Sequence, residues 1–66
     1  MQTIRYIRES NQWVKITRDS VKREFTLARG WNDELKAHDV STYPMAYWPT
    51  WSDVEALARQ RIADYA

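Results

Sequence analysis

The chain has 66 residues, which is enough for one small domain, because a chain of this length buries only about 60% of the surface that its unfolded form exposes. It has no cysteine, so a disulfide, a thiol redox pair and a thiolate zinc site are excluded. No apolar run approaches the roughly 18 residues of a membrane span, and the N-terminal residues are too polar for a signal peptide. We therefore expect a cytoplasmic protein, with residues 1–66 as a single domain and no membrane contact.

The charge is almost balanced overall but is uneven along the chain. The formal net charge is +1 and the isoelectric point is about 8.1. Residues 1–29 contain seven bases and three acids, a net charge of +4, whereas residues 30–66 contain three bases and six acids, a net charge of −3. Domains that bind polyanions usually have an isoelectric point above about 9. The pattern indicates a basic face and an acidic face, and does not by itself indicate nucleic-acid binding.

The first third of the chain is predicted to form a β-hairpin. Residues 3–8 and 12–18 are rich in Ile, Val, Thr, Tyr and Trp, and Ser-Asn at positions 10–11 suits a tight two-residue turn. The register that this turn sets pairs Ile7 with Val14, Tyr6 with Lys15, and Arg8 with Trp13.

A second turn at Asp19-Ser20 would bring residues 21–27 back as a third strand. The predicted pairs are Phe25 with Val14 and Glu24 with Lys15. The side-chain period of two then places one apolar set on the inward face: Ile7, Val14, Ile16, Val21, Phe25 and Leu27. The outward face would carry three apolar residues and three cations: Ile4, Tyr6, Trp13, Arg8, Lys15 and Lys22.

A helix over residues 20–37 competes with this third strand. Its stripe would be formed by Val21, Phe25, Ala28, Trp31 and Leu35. Gly30 and the β-branched Thr26 lower the helix propensity of the segment. In the strand interpretation, Asn32 caps a short helical turn over residues 33–38. The sequence leaves both interpretations open.

A C-terminal helix is predicted from residue 52 onward. Ser52 and Glu55 have the spacing of a capping box, in which each side chain satisfies a free backbone N–H of the first turn. Glu55 and Arg59 are spaced as a favourable i, i+4 ion pair. The apolar stripe of the helix consists of Val54, Leu57, Ala58, Ile62 and Tyr65.

Residues 43–51, with four aromatic residues and two prolines, are predicted to form an ordered loop, because the proline spacing suits neither a helix nor a central strand. Two interpretations remain. The rings close one end of the core, or they form an exposed patch that a partner covers. In the second case the partner-binding residues are Tyr43, Tyr47, Trp48 and Trp51.

The sequence contains no recognisable catalytic or metal-binding motif. His38 is the only histidine, and we expect it to be a solvated residue near a helix end. The single glycine excludes a glycine-rich phosphate loop. We therefore expect no enzymatic activity, no metal and no cofactor.

The predicted fold class is α+β: a small antiparallel sheet of three (or two) strands packed on a C-terminal helix, with a Pro/aromatic loop. A three-stranded meander on a C-terminal helix is similar in layout to AP2-like and integrase arm-binding domains, whose sheet enters the DNA major groove. Architecture alone implies no function.

The predicted function is a non-enzymatic protein-binding module, such as a small phage- or mobile-element-type accessory or inhibitor protein that binds a host protein. The alternative is nucleic-acid binding through the outward sheet face, by Tyr6, Arg8, Trp13, Lys15 and Lys22. That face could equally be solvated or buried in a homodimer.

Overall fold

The chain folds into one antiparallel sheet followed by one helix. The computed structural model describes residues 2–66. In chain order the elements are β1 (Gln2–Glu9), β2 (Gln12–Asp19), β3 (Glu24–Trp31), β4 (Asp39–Pro44) and α1 (Trp51–Asp64), and the sheet order is β1-β2-β3-β4. The α+β class with a C-terminal helix is confirmed. The sheet has four strands, one more than the sequence predicted.

The β1–β2 hairpin has the predicted register. Ile7 lies opposite Val14, as expected, and the other predicted pairs also form. Ser10 and Asn11 have φ angles of 50° and 60°, in the left-handed region that a two-residue hairpin turn requires.

The predicted register between β2 and β3 is wrong. Phe25 lies opposite Arg18 rather than Val14, and Glu24 lies opposite Asp19 rather than Lys15. The connection is longer than predicted because the Asp19 carboxylate accepts hydrogen bonds from the backbone N–H groups of Val21 and Lys22, at 3.0 and 3.1 Å. These bonds stabilise a wider turn over residues 20–23.

The error in register leaves the two faces of β3 as predicted. The partner of Phe25 moves by four positions, an even number, so Phe25 and Leu27 still point inward and are buried. Val21 and Lys22 lie in the turn instead of on the predicted faces, and Val21 is 80% exposed.

Residues 20–37 do not form the long helix, and residues 33–38 do not form the short helical turn. Strand β3 runs through Gly30, and residues 32–38 are turns and bends that lead into β4. The backbone N–H groups of Asn32 and His38 donate to the carbonyls of Asn11 and Arg29, both at 2.8 Å. These two bonds fasten both ends of the segment to the sheet, so it needs no helical hydrogen bonds of its own.

The N-cap of helix α1 lies two residues earlier than predicted, and a different pair of side chains caps the helix. Thr50 is the N-cap: its Oγ1 accepts from the Asp53 N–H at 3.3 Å, and the Asp53 carboxylate accepts from the Thr50 N–H at 3.3 Å. The predicted capping pair, Ser52 and Glu55, therefore lies inside the first turns of the helix.

Two ion pairs join α1 to β1. Arg5 donates to Glu55 at 3.0 Å, and Arg59 donates to Glu9 at 3.2 Å. Glu55 and Arg59 thus each contact the first strand instead of each other, which corrects the predicted pair within the helix.

The core lies between α1 and the inner face of the sheet. The helix contributes Val54, Ala58 and Ile62 of its predicted stripe, whereas Leu57 is half-buried and Tyr65 is 45% exposed. The buried apolar side chains of the sheet are Ile7, Val14, Ile16, Phe25 and Leu27.

A buried polar network closes one end of this core. The Arg29 guanidinium, only 4% exposed, donates to the Asp39 carboxylate at 2.6 and 2.9 Å and to Gln12 Oε1 at 2.9 Å. Gln12, with no exposed surface, donates through Nε2 to the Ile62 carbonyl at 3.0 Å. The Tyr65 ring lies over the guanidinium, 3.8 Å from Cζ to the ring centroid. The network therefore connects three strands to the last turn of α1.

Replacing Arg29 by Met should lower the free energy of unfolding by about 2–4 kcal/mol, because it leaves Gln12 and Asp39 without their buried partner. Urea unfolding measures this loss. Arg59→Met is the matched control, since its ion pair with Glu9 is about half exposed, and it should cost less than about 1 kcal/mol. Equal losses in the two variants would contradict the role given to the network.

The pKa of the Asp19 carboxyl is lowered from its ordinary 3.8, chiefly by the hydrogen bond from the Lys22 N–H. A carboxyl whose pKa is lower in the folded state stabilises the fold above its unfolded pKa, and this contribution is lost as the pH falls through the folded pKa. Asp19→Asn should therefore be less stable than the native chain at pH 7, and the difference should shrink below pH 3.8. Urea unfolding of the native chain and of the variant, at pH 7 and at a pH below 3.8, tests this. Asp33→Asn, in an exposed loop, is the control for the loss of one negative charge. A difference that persists unchanged at low pH would be the contrary result.

Candidate binding surface

The side of the sheet away from α1 has no element packed across it in the described residues, and we call it the outer face. It consists of the residues that alternate with the buried ones along each strand. Its cross-strand rows, read from the register, begin with Arg8-Trp13-Gly30 and Tyr6-Lys15-Ala28-Val40, and continue with Ile4-Thr17-Thr26-Thr42.

Trp13 attaches residues 32–38 to one end of the outer face. Its indole Nε1 donates to the carbonyls of Trp31 at 2.9 Å and Glu34 at 3.1 Å. The ring lies against Gly30, where a Cβ atom would come within 2.4 Å of ring atom Cζ2. Gly30 is therefore needed for the close approach of this ring.

A groove of about 400 Å³ lies between the hairpin and residues 32–38. We call it the face groove. One side is formed by Tyr6, Arg8 and Lys15, and the other by the segment that carries Leu35 and Ala37. Tyr6 is 56% exposed and Leu35 is fully exposed, so the groove presents apolar surface to solvent.

The two cations of the face groove have no carboxylate partner within the described chain. Arg8 lies 6.0 Å from the Tyr6 ring centroid, and neither Arg8 nor Lys15 forms an ion pair within residues 2–66. Glu34, also at the groove, is paired with His38 Nε2 at 2.7 Å. The expectation that His38 is a solvated residue near a helix end is wrong in part, because it is half-exposed but lies in a loop.

Four of the five residues predicted to bind nucleic acid come together at the face groove: Tyr6, Arg8, Trp13 and Lys15. Lys22 does not join them, because it lies in the β2–β3 turn at the other end of the sheet. Trp13 is half-buried and holds the adjoining loop through its indole hydrogen bonds, so Tyr6 is the more accessible of the two rings.

Three of the four residues predicted to bind a protein partner pack against the core. Trp51 contacts Phe25 edge to face at 5.3 Å between centroids, and Trp48 contacts Tyr43 in the same manner at 6.2 Å. Arg61 also donates to the Tyr43 hydroxyl. Of the four, only Tyr47, which is 79% exposed, is not packed against the core. This geometry favours the interpretation in which the rings close one end of the core, and a binding role for Tyr47 stays a prediction.

Sequence reasoning did not identify the wall that Leu35 and Ala37 provide, nor the exposed Val40 on β4. Leu35 was assigned only to the stripe of the competing helix. One sequence feature could have indicated the contact that holds residues 32–38. If β3 continues through Gly30, the only glycine of the sequence pairs with the bulky Trp13, and a glycine in a strand often marks a close approach of another group.

No family model, curated protein or solved structure matches the chain. Within residues 2–66, no group of three or more His, Asp or Glu residues is arranged to hold a metal ion. The helix of the described chain is not long and apolar enough to cross a membrane.

Gly30→Ala should lower the free energy of unfolding by roughly 1–3 kcal/mol, because the added methyl group overlaps the Trp13 ring. The measurement is urea unfolding of a double-mutant cycle with Trp13→Ala. If the ring is the cause, the effect of Gly30→Ala should become much smaller once the ring is removed. Additive effects of the two substitutions would refute the contact as the cause.

Proposed function

We propose that the chain is a non-enzymatic protein-binding module and that the outer face, centred on the face groove, is its contact surface. One observation carries the proposal. Of the seven large hydrophobic side chains that are exposed in residues 2–66, four lie on or beside this face: Ile4, Tyr6, Leu35 and Val40. Apolar side chains concentrated on one surface are typical of interaction sites.

The size of the surface indicates the kind of contact. Three strands of eight residues and one of six, about 4.8 Å apart and about 3.3 Å per residue, give a face with a projected area of roughly 500 Å². Stable complexes usually bury about 800 Å² on each partner. The outer face therefore suits a modest, reversible contact.

The proposed contact surface is the outer face of the sheet and not the aromatic loop of residues 43–51 that the sequence suggested. Since Tyr43, Trp48 and Trp51 contact the core, substituting them would change folding and binding together. A cytoplasmic role as a small accessory or inhibitor protein, of the type that phages and mobile elements encode, belongs to the same proposal. Its support is the nearly balanced charge of these 66 residues.

Leu35→Glu should abolish capture of the protein partner, because it places a carboxylate on the apolar wall of the face groove. Tyr47→Ser, at the exposed position of the aromatic loop, should leave capture unchanged. Affinity capture by each variant, quantified by mass spectrometry against the native chain, makes the comparison, and circular dichroism verifies that both variants fold. Loss of the partner with Tyr47→Ser alone would return the site to the loop.

Nucleic-acid binding is the second candidate, favoured by the convergence of Tyr6, Arg8, Trp13 and Lys15 at one groove. With two cations contacting phosphates, the logarithm of the affinity should fall with the logarithm of the salt concentration, with a slope of about −1.4 to −1.8. Lys15→Gln should reduce that slope, whereas Lys22→Gln, in the distant turn, should not. A mobility-shift assay between about 50 and 200 mM salt measures both. Absence of any shift at the lower salt concentration would eliminate this candidate.

A further inference from the structure

We propose that the face groove binds an extended acidic peptide segment in which one large apolar side chain is flanked by carboxylates. The inference deepens the proposed function and depends on it. It is carried by the dimensions of the groove, its apolar walls and its two cations without carboxylate partners.

The dimensions favour a short segment over a folded surface. A volume of about 400 Å³ falls at the small end of the range for ligand pockets, about 300–1,000 Å³. The fully exposed Leu35 stands at the rim beside the open sheet. A narrow chain can pass between Leu35 and the hairpin, where a broad rigid surface would rest on Leu35 first.

The walls supply the contact for the apolar side chain. Tyr6 lines one side of the groove, Leu35 and Ala37 line the other, and Lys15 and Ala28 follow Tyr6 in the cross-strand row of the sheet. A leucine or phenylalanine of the partner would remove apolar surface from water on both sides at once.

The cations supply the contacts for the carboxylates. Lys15 lies directly opposite Tyr6 on the neighbouring strand, and Arg8 lies two residues further along β1 on the same face. Both charges therefore lie next to Tyr6: Lys15 stands between Tyr6 and Ala28 in the cross-strand row, and Arg8 is the next residue of β1 on the same face. Between the sheet and α1, Arg5, Arg29 and Arg59 are each paired with a carboxylate of this chain, whereas Arg18 forms no ion pair within residues 2–66.

The same charges favour a peptide over a nucleic acid. Affinity for nucleic acid comes from neutralising many phosphates, and the groove offers two cations. Leu35 and Ala37 give phosphates no hydrogen bond, but they do contact an apolar side chain.

The test is an NMR titration of the full chain labelled with nitrogen-15, using two synthetic peptides. Both have Leu-Phe at the centre; one carries three Asp or Glu residues on each side, and the other carries Gln at those positions. The acidic peptide should shift the amide signals of Tyr6, Lys15 and Leu35, and it should bind about fivefold to tenfold more tightly than the neutral peptide. Arg8→Gln with Lys15→Gln should remove that preference, whereas the matched control Lys22→Gln with Arg23→Gln should retain it.

Several outcomes would overturn the inference: no shifts at the groove up to millimolar peptide, shifts confined to another surface, or equal binding of the two peptides. An oligothymidylate that shifts the same signals at lower concentration than the acidic peptide would assign the groove to nucleic acid. Failure of the proposed function is distinguishable, because capture that is insensitive to Leu35→Glu contradicts the surface itself, whereas equal peptide binding at the groove contradicts only its preference for acidic segments.

Discussion

The contacts that the buried Arg29 makes with Gln12, Asp39 and Tyr65 connect the sheet to the end of the helix. A guanidinium this deeply buried is costly unless its donors are satisfied, and here a carboxylate from β4, an amide from β2 and the ring of Tyr65 surround it. Gln12 extends the network to the Ile62 carbonyl at the C-terminal end of α1, which also accepts from the Tyr65 N–H at 3.1 Å. Within the described residues, no buried side-chain nitrogen or oxygen lacks a hydrogen bond. The fourth strand and the last turn of the helix are therefore positioned by the same side chain.

Local patterns predicted those features that depend on neighbours in sequence. The β1–β2 register follows from the two residues of its turn, and the buried helix positions follow from their spacing. The β2–β3 register could not be obtained in this way, because the carboxylate of Asp19 takes two backbone N–H groups and lengthens the turn. The capping pair of α1 also could not be predicted with certainty. Thr50 and Asp53 have the same spacing as Ser52 and Glu55, so the sequence pattern does not show which pair bonds to the backbone N–H groups at the start of the helix.

Strand β4 and the groove could not be predicted because both depend on contacts between distant parts of the chain. Residues 39–44 form a segment of only six residues that ends in a proline, and they become a strand by pairing with β3 and through the ion pair of Asp39 with Arg29. Tyr6, Arg8 and Lys15 were identified from alternation along the hairpin, which is a local signal. Leu35 lies beside them because the Trp13 indole and the backbone N–H groups of Asn32 and His38 hold residues 32–38 against the sheet.

The fastening of residues 32–38 has an evolutionary consequence. Backbone hydrogen bonds at Asn32 and His38 hold its two ends, and the Trp13 indole holds the backbone of Glu34. None of these bonds uses the side chains of Asp33, Leu35 or Lys36, which are exposed. Those three positions can therefore mutate at little cost to folding, and substitutions at Leu35 can change the chemistry of one side of the face groove while the sheet beneath it keeps its structure.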